Sequence, residues 1–154
     1  EALPDDTLVG AGTVLRAEYC ADIAAAGGQL VVMPHSDPAV IHAAKAADLA
    51  CAPGVATPTE AFAALAAGAD VLKMFPAETL GPMGLKAWRA VLTPPVAIAP
   101  VGGITPDAIQ PYLAAGASGF GLGSALYRAG DDAATVAQRA TAFVRAWQQA
   151  NAAV

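Results

Sequence analysis

The regular alternation of apolar runs with alanine-rich segments constrains the fold of this chain more than any other feature. Short runs rich in strand-forming residues are each followed by a segment of helical composition, and glycine closes several of these segments. We expect strands at Thr7–Val9, Leu30–Met33, Leu49–Ala52, Val71–Phe75, Val96–Val101 and Gly119–Leu122. We expect helices at Ala17–Ala26, Pro38–Ala47, Pro58–Ala67, Gly84–Leu92, Pro106–Ala115 and Ala133–Gln149. Such alternation indicates right-handed βαβ units and a parallel sheet covered by helices.

Two architectures fit this alternation, a doubly wound open sheet and a (β/α)8 barrel. The last two predicted strands lead into the glycine motifs Gly102-Gly103 and Gly121-Leu122-Gly123-Ser124. In (β/α)8 barrels, the loops after the seventh and eighth strands often bind phosphate through backbone N–H groups. The two motifs therefore favour the barrel and predict a phosphate site, with Ser124 at the N-terminus of a short helix, Ala125–Arg128. Arg128 either assists in binding the phosphate or is a solvated helix residue.

If these motifs follow strands seven and eight, the chain holds six βα units where a closed barrel needs eight. Lys73 then ends the sixth strand, and Gly10-Ala11-Gly12-Thr13 ends the third. We therefore expect an α/β fold, a (β/α)8 TIM barrel that lacks its first two βα units. Residues 1–154 are expected to form one N-terminally incomplete domain, with Glu1–Asp6 as a connection that leads into a strand.

Lys73 stands alone among apolar residues in the run Val71–Pro76. A run of this length is typical of a buried strand in a parallel sheet, and lysine is almost never fully buried unless it is paired or used. Burial lowers the pKa of the ammonium group, which makes the amine a nucleophile able to form a Schiff base with a carbonyl. The alternative is a lysine whose stem packs on apolar neighbours while its ammonium group reaches water.

Composition and charge argue against several kinds of partner. The 154 residues carry a net charge of −5 with a pI near 4.7, which argues against nucleic acid. No apolar stretch approaches the roughly 20 residues that span a bilayer, and no pattern typical of a secretion signal is seen, so a cytoplasmic location is expected. Cys20 and Cys51 have neither metal-site nor disulfide spacing and are expected to be buried, reduced thiols. His35 and His42 are expected to be structural or surface residues, so no metal is predicted.

Five sequence blocks resemble those of 2-keto-3-deoxy-6-phosphogluconate and 2-keto-3-deoxy-6-phosphogalactonate aldolases. They occur in the family's order and span nearly the whole chain: Val9–Val14, Pro53–Glu60, Leu72–Pro76, Val101–Ile104 and Gly121–Ser124. The chain looks like the C-terminal three-quarters of such an aldolase. Gly81-Pro82 and Gly123–Gly130 resemble the phosphogalactonate branch more than the phosphogluconate branch.

The resemblance implies a class I aldolase that needs no metal or cofactor. Lys73, the matched lysine, would form a Schiff base with the C2 ketone of the substrate, and cleavage of the C3–C4 bond would yield pyruvate and glyceraldehyde 3-phosphate. Phe75 would pack against the imine, or is a plain core residue. Thr57 would donate a hydrogen bond to the substrate carboxylate, or caps the following helix. The phosphate would be held by Gly102, Gly103, Gly123 and Ser124, where a side chain on Gly103 or Gly123 would block the backbone N–H groups.

The chain departs from the family pattern in its proton-transfer residues. The resemblance implies a general acid/base glutamate at the end of the second barrel strand and a substrate-binding arginine near the first, and neither region is present. Glu60 follows Thr57 by three residues, where a capping box explains it. Glu78 is expected to be a solvated carboxylate in the loop after the lysine strand, with a position that faces the site as the alternative. Thr13, at the end of the third barrel strand, is expected to line the pocket that holds the pyruvate part of the substrate.

Alternative functions stay open at this point. The 6-phosphogalactonate substrate is favoured, with the 6-phosphogluconate form of the same aldolase as the alternative. A non-catalytic phosphate-binding remnant of a barrel would form no covalent adduct, and an isomerase or epimerase would leave Lys73 unexplained. The family resemblance also suggests a homotrimer, with which an alanine-rich surface is compatible.

Overall fold

A computed structural model describes residues 3–4 and 6–152 of the chain. Strands and helices alternate along it, which confirms the predicted α/β class, and the chain divides into two compact units, Glu1–Lys73 and Met74–Val154. The strands are β1 (Gly10–Gly12), β2 (Leu30–Val32), β3 (Ala50–Ala52), β4 (Gly54–Val55), β5 (Val71–Met74) and β6 (Ala97–Pro100). The helices are α1 (Glu18–Ala25), α2 (Pro38–Ala46), α3 (Pro58–Ala66), α4 (Ala77–Trp88), α5 (Ile109–Ala114) and α6 (Ala133–Ala152), with a 3-10 turn at Pro106–Ala108. The predicted connection Glu1–Asp6 includes Glu1, Ala2 and Asp5, which lie outside the described residues.

The first unit is built on parallel strands in a regular register. In the sheet β1-β2-β3, Gly10 lies opposite Leu30, and Leu30 lies opposite Ala50. β5 runs beside the segment that follows, because the Asp70 N–H donates to the Cys51 carbonyl at 3.0 Å and the Lys73 N–H donates to the Pro53 carbonyl at 2.9 Å. The fully buried side chains of the first unit include Val31, Met33, Val40, Ile41, Leu49, Cys51, Val55 and Leu72.

Local capping sets the starts of two helices in the first unit. The Asp37 carboxylate accepts from the Ala39 N–H at 2.8 Å, and Pro38 occupies the first helical position of α2. Thr57 and Glu60 form a capping box at the start of α3, as predicted. Both patterns satisfy N–H groups that have no partner within the helix.

In the second unit, one arginine closes the connection that follows α4. The Arg89 guanidinium donates to the Gly116, Leu92 and Val96 carbonyls at 2.6–2.9 Å and to Ser118 Oγ at 3.2 Å. These bonds fix the chain on both sides of β6, and burial lowers the pKa of the guanidinium. Gly116 must be glycine here, because its φ is +100° and a Cβ would lie 3.0 Å from Arg89 Nε.

Aromatic packing holds α6 in the second unit. Phe120 makes edge-to-face contacts with Tyr112 and Trp147, at centroid distances of 6.2 and 6.0 Å. Phe143 and Ala150 are the buried residues of this 20-residue helix. Among the described residues, no helix is both long and apolar enough to cross a membrane.

Five predicted elements differ from the structure, and three of the differences involve glycine. The predicted helix Pro106–Ala115 begins as the 3-10 turn Pro106–Ala108 and is α-helical only from Ile109. The first strand is Gly10–Gly12 instead of Thr7–Val9, because pairing with β2 outweighs the low strand propensity of glycine. The predicted strand Gly119–Leu122 forms only a single bridge, between Gly121 and Val101. α4 begins at Ala77, seven residues before the predicted start, and Gly81 (φ +67°, ψ 171°) breaks it internally. In place of the predicted short helix Ala125–Arg128, the chain forms a turn at residues 124–126, followed by irregular backbone at Tyr127 and Arg128.

Candidate active site

Lys73 lies on β5, as predicted, and its side chain is half-buried. Its neighbours Leu72 and Met74 are fully buried, so the lysine occupies the opposite face of the strand. Burial lowers the pKa of the Lys73 ammonium group, because the charged form loses solvation. The strand therefore presents an amine that deprotonates more readily than an exposed lysine does.

A single cavity brings together five of the seven predicted site residues. It has a volume of about 280 Å³ and is lined by Phe75, Gly102, Gly103, Gly123 and Ser124, together with neighbouring loop residues and Arg128. Phe75 follows Lys73 by two positions in the chain. Lys73 and Thr57 are not among the lining residues, and both belong to the first unit.

Several backbone N–H groups at this cavity have no acceptor among the residues that the structure describes. They belong to Gly102, Gly103, Gly123 and Ser124. A concave site that combines unsatisfied N–H groups with close backbone approach suits an anion. These N–H groups are donors of the kind that the predicted phosphate site requires, although Ser124 lies in a turn and not at a helix N-terminus.

Gly102 and Gly103 are fixed by conformation and by a carboxylate that lies against them. Their φ angles are +103° and +65°, in the left-handed region that favours glycine. An ideal Cβ on Gly102 or Gly103 would lie 2.6 or 2.8 Å from Glu78 Oε2. The side-chain direction at both positions is therefore blocked by Glu78.

The position of Glu78 differs from the predicted loop. It is exposed, but it lies in the first turn of α4, and its carboxylate lies against the Gly102-Gly103 loop. The Tyr112 hydroxyl donates to the Ala77 carbonyl at 2.8 Å. Burial raises the pKa of Tyr112, and the negative charge of Glu78 raises it further. No sequence signal links Glu78 to this loop, because the contact joins segments more than 20 residues apart.

Thr57 is exposed and caps α3. Its hydroxyl accepts from the Glu60 N–H at 3.2 Å and donates to Glu60 Oε2 at 3.0 Å. Glu60 in turn accepts from the Ala56 and Thr57 N–H groups at 2.8 and 2.9 Å. The Ala56 N–H is the main cause of the lowered pKa of Glu60. The capping prediction is confirmed, and the hydroxyl hydrogen of Thr57 is engaged with Glu60.

Thr13 is a strained residue at the end of β1. Its φ of +59° is unusual for a β-branched side chain. It lines a cavity of about 390 Å³ in the first unit, together with Ala11, Gly12 and residues of α1. Backbone strain of this kind clusters at functional sites, and the glycine-rich segment before it is the sequence signal that points to it.

The cysteines and histidines offer no metal centre. Cys20 and Cys51 are buried free thiols, and burial raises the pKa of Cys51 to about 11. The buried Nδ1 of His35 has no partner in the described part of the chain. Within residues 3–4 and 6–152, no group of three His, Cys, Asp or Glu side chains could hold a metal ion.

Comparison with known proteins assigns the family. The profile described as "Aldolase: KDPG and KHG aldolase" matches residues 2–139. The 2-dehydro-3-deoxy-6-phosphogalactonate aldolase of Escherichia coli K12 is 46% identical over 97% of this chain and 73% of its own length. The probable 2-dehydro-3-deoxy-6-phosphogalactonate aldolase of Rhizobium meliloti is 49% identical over 94% of this chain and 68% of its own length.

Solved structures agree with this assignment. A native KDPGal structure superposes with a TM-score of 0.93 at 46% identity, covering 95% of this chain and 71% of its own. A KDPG aldolase from Legionella pneumophila, with pyruvate captured as a covalent carbinolamine, superposes with a TM-score of 0.73 at 28% identity, covering 93% of this chain and 68% of its own. The chain belongs to the KDPG and KHG aldolase family.

Proposed function

We propose that this protein cleaves 2-keto-3-deoxy-6-phosphogalactonate to pyruvate and glyceraldehyde 3-phosphate through a Schiff base on Lys73. The observation that carries the proposal is a half-buried strand lysine with a lowered pKa, in a chain that belongs to an aldolase family. The names of the relatives at 46% and 49% identity support the phosphogalactonate substrate over its epimer.

The reaction follows from the chemistry of an imine on Lys73. The neutral amine attacks the C2 carbonyl, and loss of water gives a protonated imine. A base removes the proton of the C4 hydroxyl, the C3–C4 bond breaks, and its electron pair moves into the enamine. Glyceraldehyde 3-phosphate leaves as the aldehyde, after which protonation at C3 and hydrolysis release pyruvate and free the lysine. Glu60 is engaged in a helix cap and Glu78 at the glycine loop, so we assign the proton transfer to neither.

The phosphate group is assigned to the cavity of the second unit. The N–H groups of Gly102, Gly103, Gly123 and Ser124 would donate to its oxygens, and Phe75 would contribute an apolar wall. Thr57 would bind the substrate carboxylate only after its hydroxyl hydrogen leaves Glu60. Thr13, with its strained backbone, is a further candidate contact.

The finer architecture is also a proposal. The parallel register of β1-β2-β3 and the TM-score of 0.93 to the native KDPGal structure support strands and helices of a (β/α)8 barrel. A homotrimer is proposed from the family resemblance, and a cytoplasmic location from the sequence alone.

Borohydride reduction in the presence of pyruvate tests the proposed function. We expect one reduced pyruvyl adduct on Lys73, located by peptide mass spectrometry. Lys73→Ala should abolish both the adduct and aldol cleavage, whereas Lys86→Ala, which removes an exposed lysine of α4, should change neither. Cleavage rates with the two C4 epimers then decide the substrate. An adduct on another lysine, or near-normal turnover of Lys73→Ala, contradicts the proposal.

A further inference from the structure

Arg128 is the one residue with a charged side chain among the described residues that line the cavity of Gly102, Gly103, Gly123 and Ser124. The N–H groups of the glycines supply hydrogen bonds but carry no formal charge. The chain as a whole carries a net charge of −5, and the Glu78 carboxylate lies against the Gly102-Gly103 loop. A doubly charged anion entering this cavity therefore needs a local positive charge.

The guanidinium of Arg128 is held in place without being neutralised. Its Nε–H donates to the Ser124 carbonyl at 3.0 Å, a contact between two residues that line the cavity. Its two terminal nitrogens have no acceptor among the residues that the structure describes. An arginine held at Nε keeps two parallel N–H donors free, and this geometry matches a phosphate group.

The Asp131 carboxylate bonds to the backbone of Arg128 but forms no ion pair with its guanidinium. It accepts from the backbone N–H of Arg128 at 2.7 Å and forms its ion pair with Arg139. Hydrogen bonding to Arg139 is the main cause of the lowered pKa of Asp131. Asp131 therefore positions the Arg128 backbone, while its charge is balanced mainly by Arg139.

We propose that Arg128 is the binding residue by which the cavity selects the dianionic form of a phosphate group. This inference rests on the proposed function for its substrate, since it assigns the charge that recognises the phosphate of the sugar acid. The glycine N–H groups fix the position of the phosphate, and Arg128 supplies the energetic preference for a second negative charge.

Binding of inorganic phosphate, measured by calorimetry, tests this role directly. Arg128→Gln should weaken binding about tenfold or more, because a hydrogen bond to a charged group is lost. Arg128→Lys keeps the positive charge but loses the paired N–H donors of the guanidinium. Its phosphate affinity should lie between that of the unmodified protein and that of Arg128→Gln. Arg145→Gln is the matched control, because it removes an exposed arginine of α6 that is not at the cavity, and it should bind like the unmodified protein.

Two further measurements report on charge and not on folding. The affinity of the unmodified protein for inorganic phosphate should rise between about pH 6 and 8, because the second pKa of inorganic phosphate is about 7, roughly one unit above that of a phosphate ester. That rise, and the loss of affinity with added salt, should be much smaller in Arg128→Gln. Both slopes are measured in the unmodified protein as well, so the inference can fail even if the variant folds poorly.

Equal phosphate affinity of Arg128→Gln and Arg145→Gln overturns the inference, as does an affinity of the unmodified protein that is independent of pH and salt. The outcome is separable from that of the proposed function. Pyruvate trapping on Lys73 needs no phosphate, so failed trapping with intact phosphate binding rejects the aldolase proposal alone. Normal trapping with an unaltered phosphate affinity in Arg128→Gln rejects only the role of Arg128.

Discussion

Replacing Gly123 with alanine should weaken phosphate binding without weakening the fold. Gly123 has no positive φ, and a Cβ placed on it meets no atom within 4 Å. We therefore expect the free energy of unfolding to change by less than about 0.5 kcal/mol. Because Gly123 lines the cavity, the new methyl group should displace the phosphate from one backbone donor. The loss of one charge-assisted hydrogen bond, about 1.5 kcal/mol, corresponds to roughly a tenfold rise in KM.

Gly103→Ala should behave differently, because its defect begins in the protein. At φ +65°, an alanine costs about 1–2 kcal/mol in backbone strain. The new Cβ would also lie 2.8 Å from Glu78 Oε2 and 2.9 Å from Glu78 Cβ, so α4 or the loop must shift. For a chain of this size, that strain lowers Tm by roughly 2–8 °C. Gly103→Ala therefore loses stability and phosphate affinity together.

The assay compares KM for the phosphorylated substrate with KM for its unphosphorylated analogue, alongside thermal melting of each variant. Gly119→Ala is the matched control, since a Cβ there also meets nothing within 4 Å and Gly119 does not line the cavity. We expect Gly123→Ala alone to raise KM for the phosphorylated substrate selectively at unchanged Tm. Equal effects on both substrates, or equal effects of Gly119→Ala and Gly123→Ala, would refute the assignment of the phosphate to this cavity.

Three further predictions concern titration and stability. The rate of pyruvate trapping on Lys73 should rise with pH and level off below the pKa of about 10.4 of an exposed lysine, because burial lowers its pKa; a midpoint at or above that value contradicts the burial argument. Glu60 has a lowered pKa, so its stabilising effect is present above its ordinary pKa and is lost as pH falls through the lowered one. Melting curves of Glu60→Gln should therefore lack this loss of stability at acid pH. If Tm depends on pH in the same way in Glu60→Gln and in the unmodified protein, Glu60 does not contribute the stability assigned to it. Arg89→Lys should cost about 2–4 kcal/mol in denaturant unfolding, because a lysine cannot serve all the carbonyls that Arg89 binds; a cost below about 0.5 kcal/mol would show these bonds to be dispensable.

Local rules explain the parts of the fold that the sequence predicted well. The capping box of Thr57 and Glu60 depends on residues within one helical turn. The strand that carries Lys73 was predicted from an apolar run of ordinary strand length. In each case the atoms that decide the structure are close in sequence, so composition and spacing suffice.

Non-local pairing explains the parts that were predicted poorly. Gly10–Gly12 has almost no intrinsic preference for a strand, yet it forms one because β2 supplies its hydrogen-bonding partners. In the second unit, Gly121 and Val101 form a single isolated bridge, so the predicted strand Gly119–Leu122 does not form a β-ladder. A Cβ at Gly121 would lie 2.4 Å from a Val101 methyl carbon, so this glycine is set by close packing that sequence spacing does not reveal.

The candidate site shows the same division between local signals and contacts across space. The glycine motifs predicted the lining of a cavity, because glycine pairs at strand ends are a local signal. The contact of Glu78 with Gly102-Gly103 was not predictable, because helix α4 had to begin at Ala77 before the carboxylate could reach the loop. Val101 completes the link, since its N–H donates to the Met74 carbonyl at 3.0 Å and its carbonyl accepts from the Ala77 N–H at 2.8 Å. Val101, the residue before Gly102-Gly103, therefore bonds to the backbone at both ends of the segment from Met74 to Ala77, a pairing across the sequence that spacing alone does not predict.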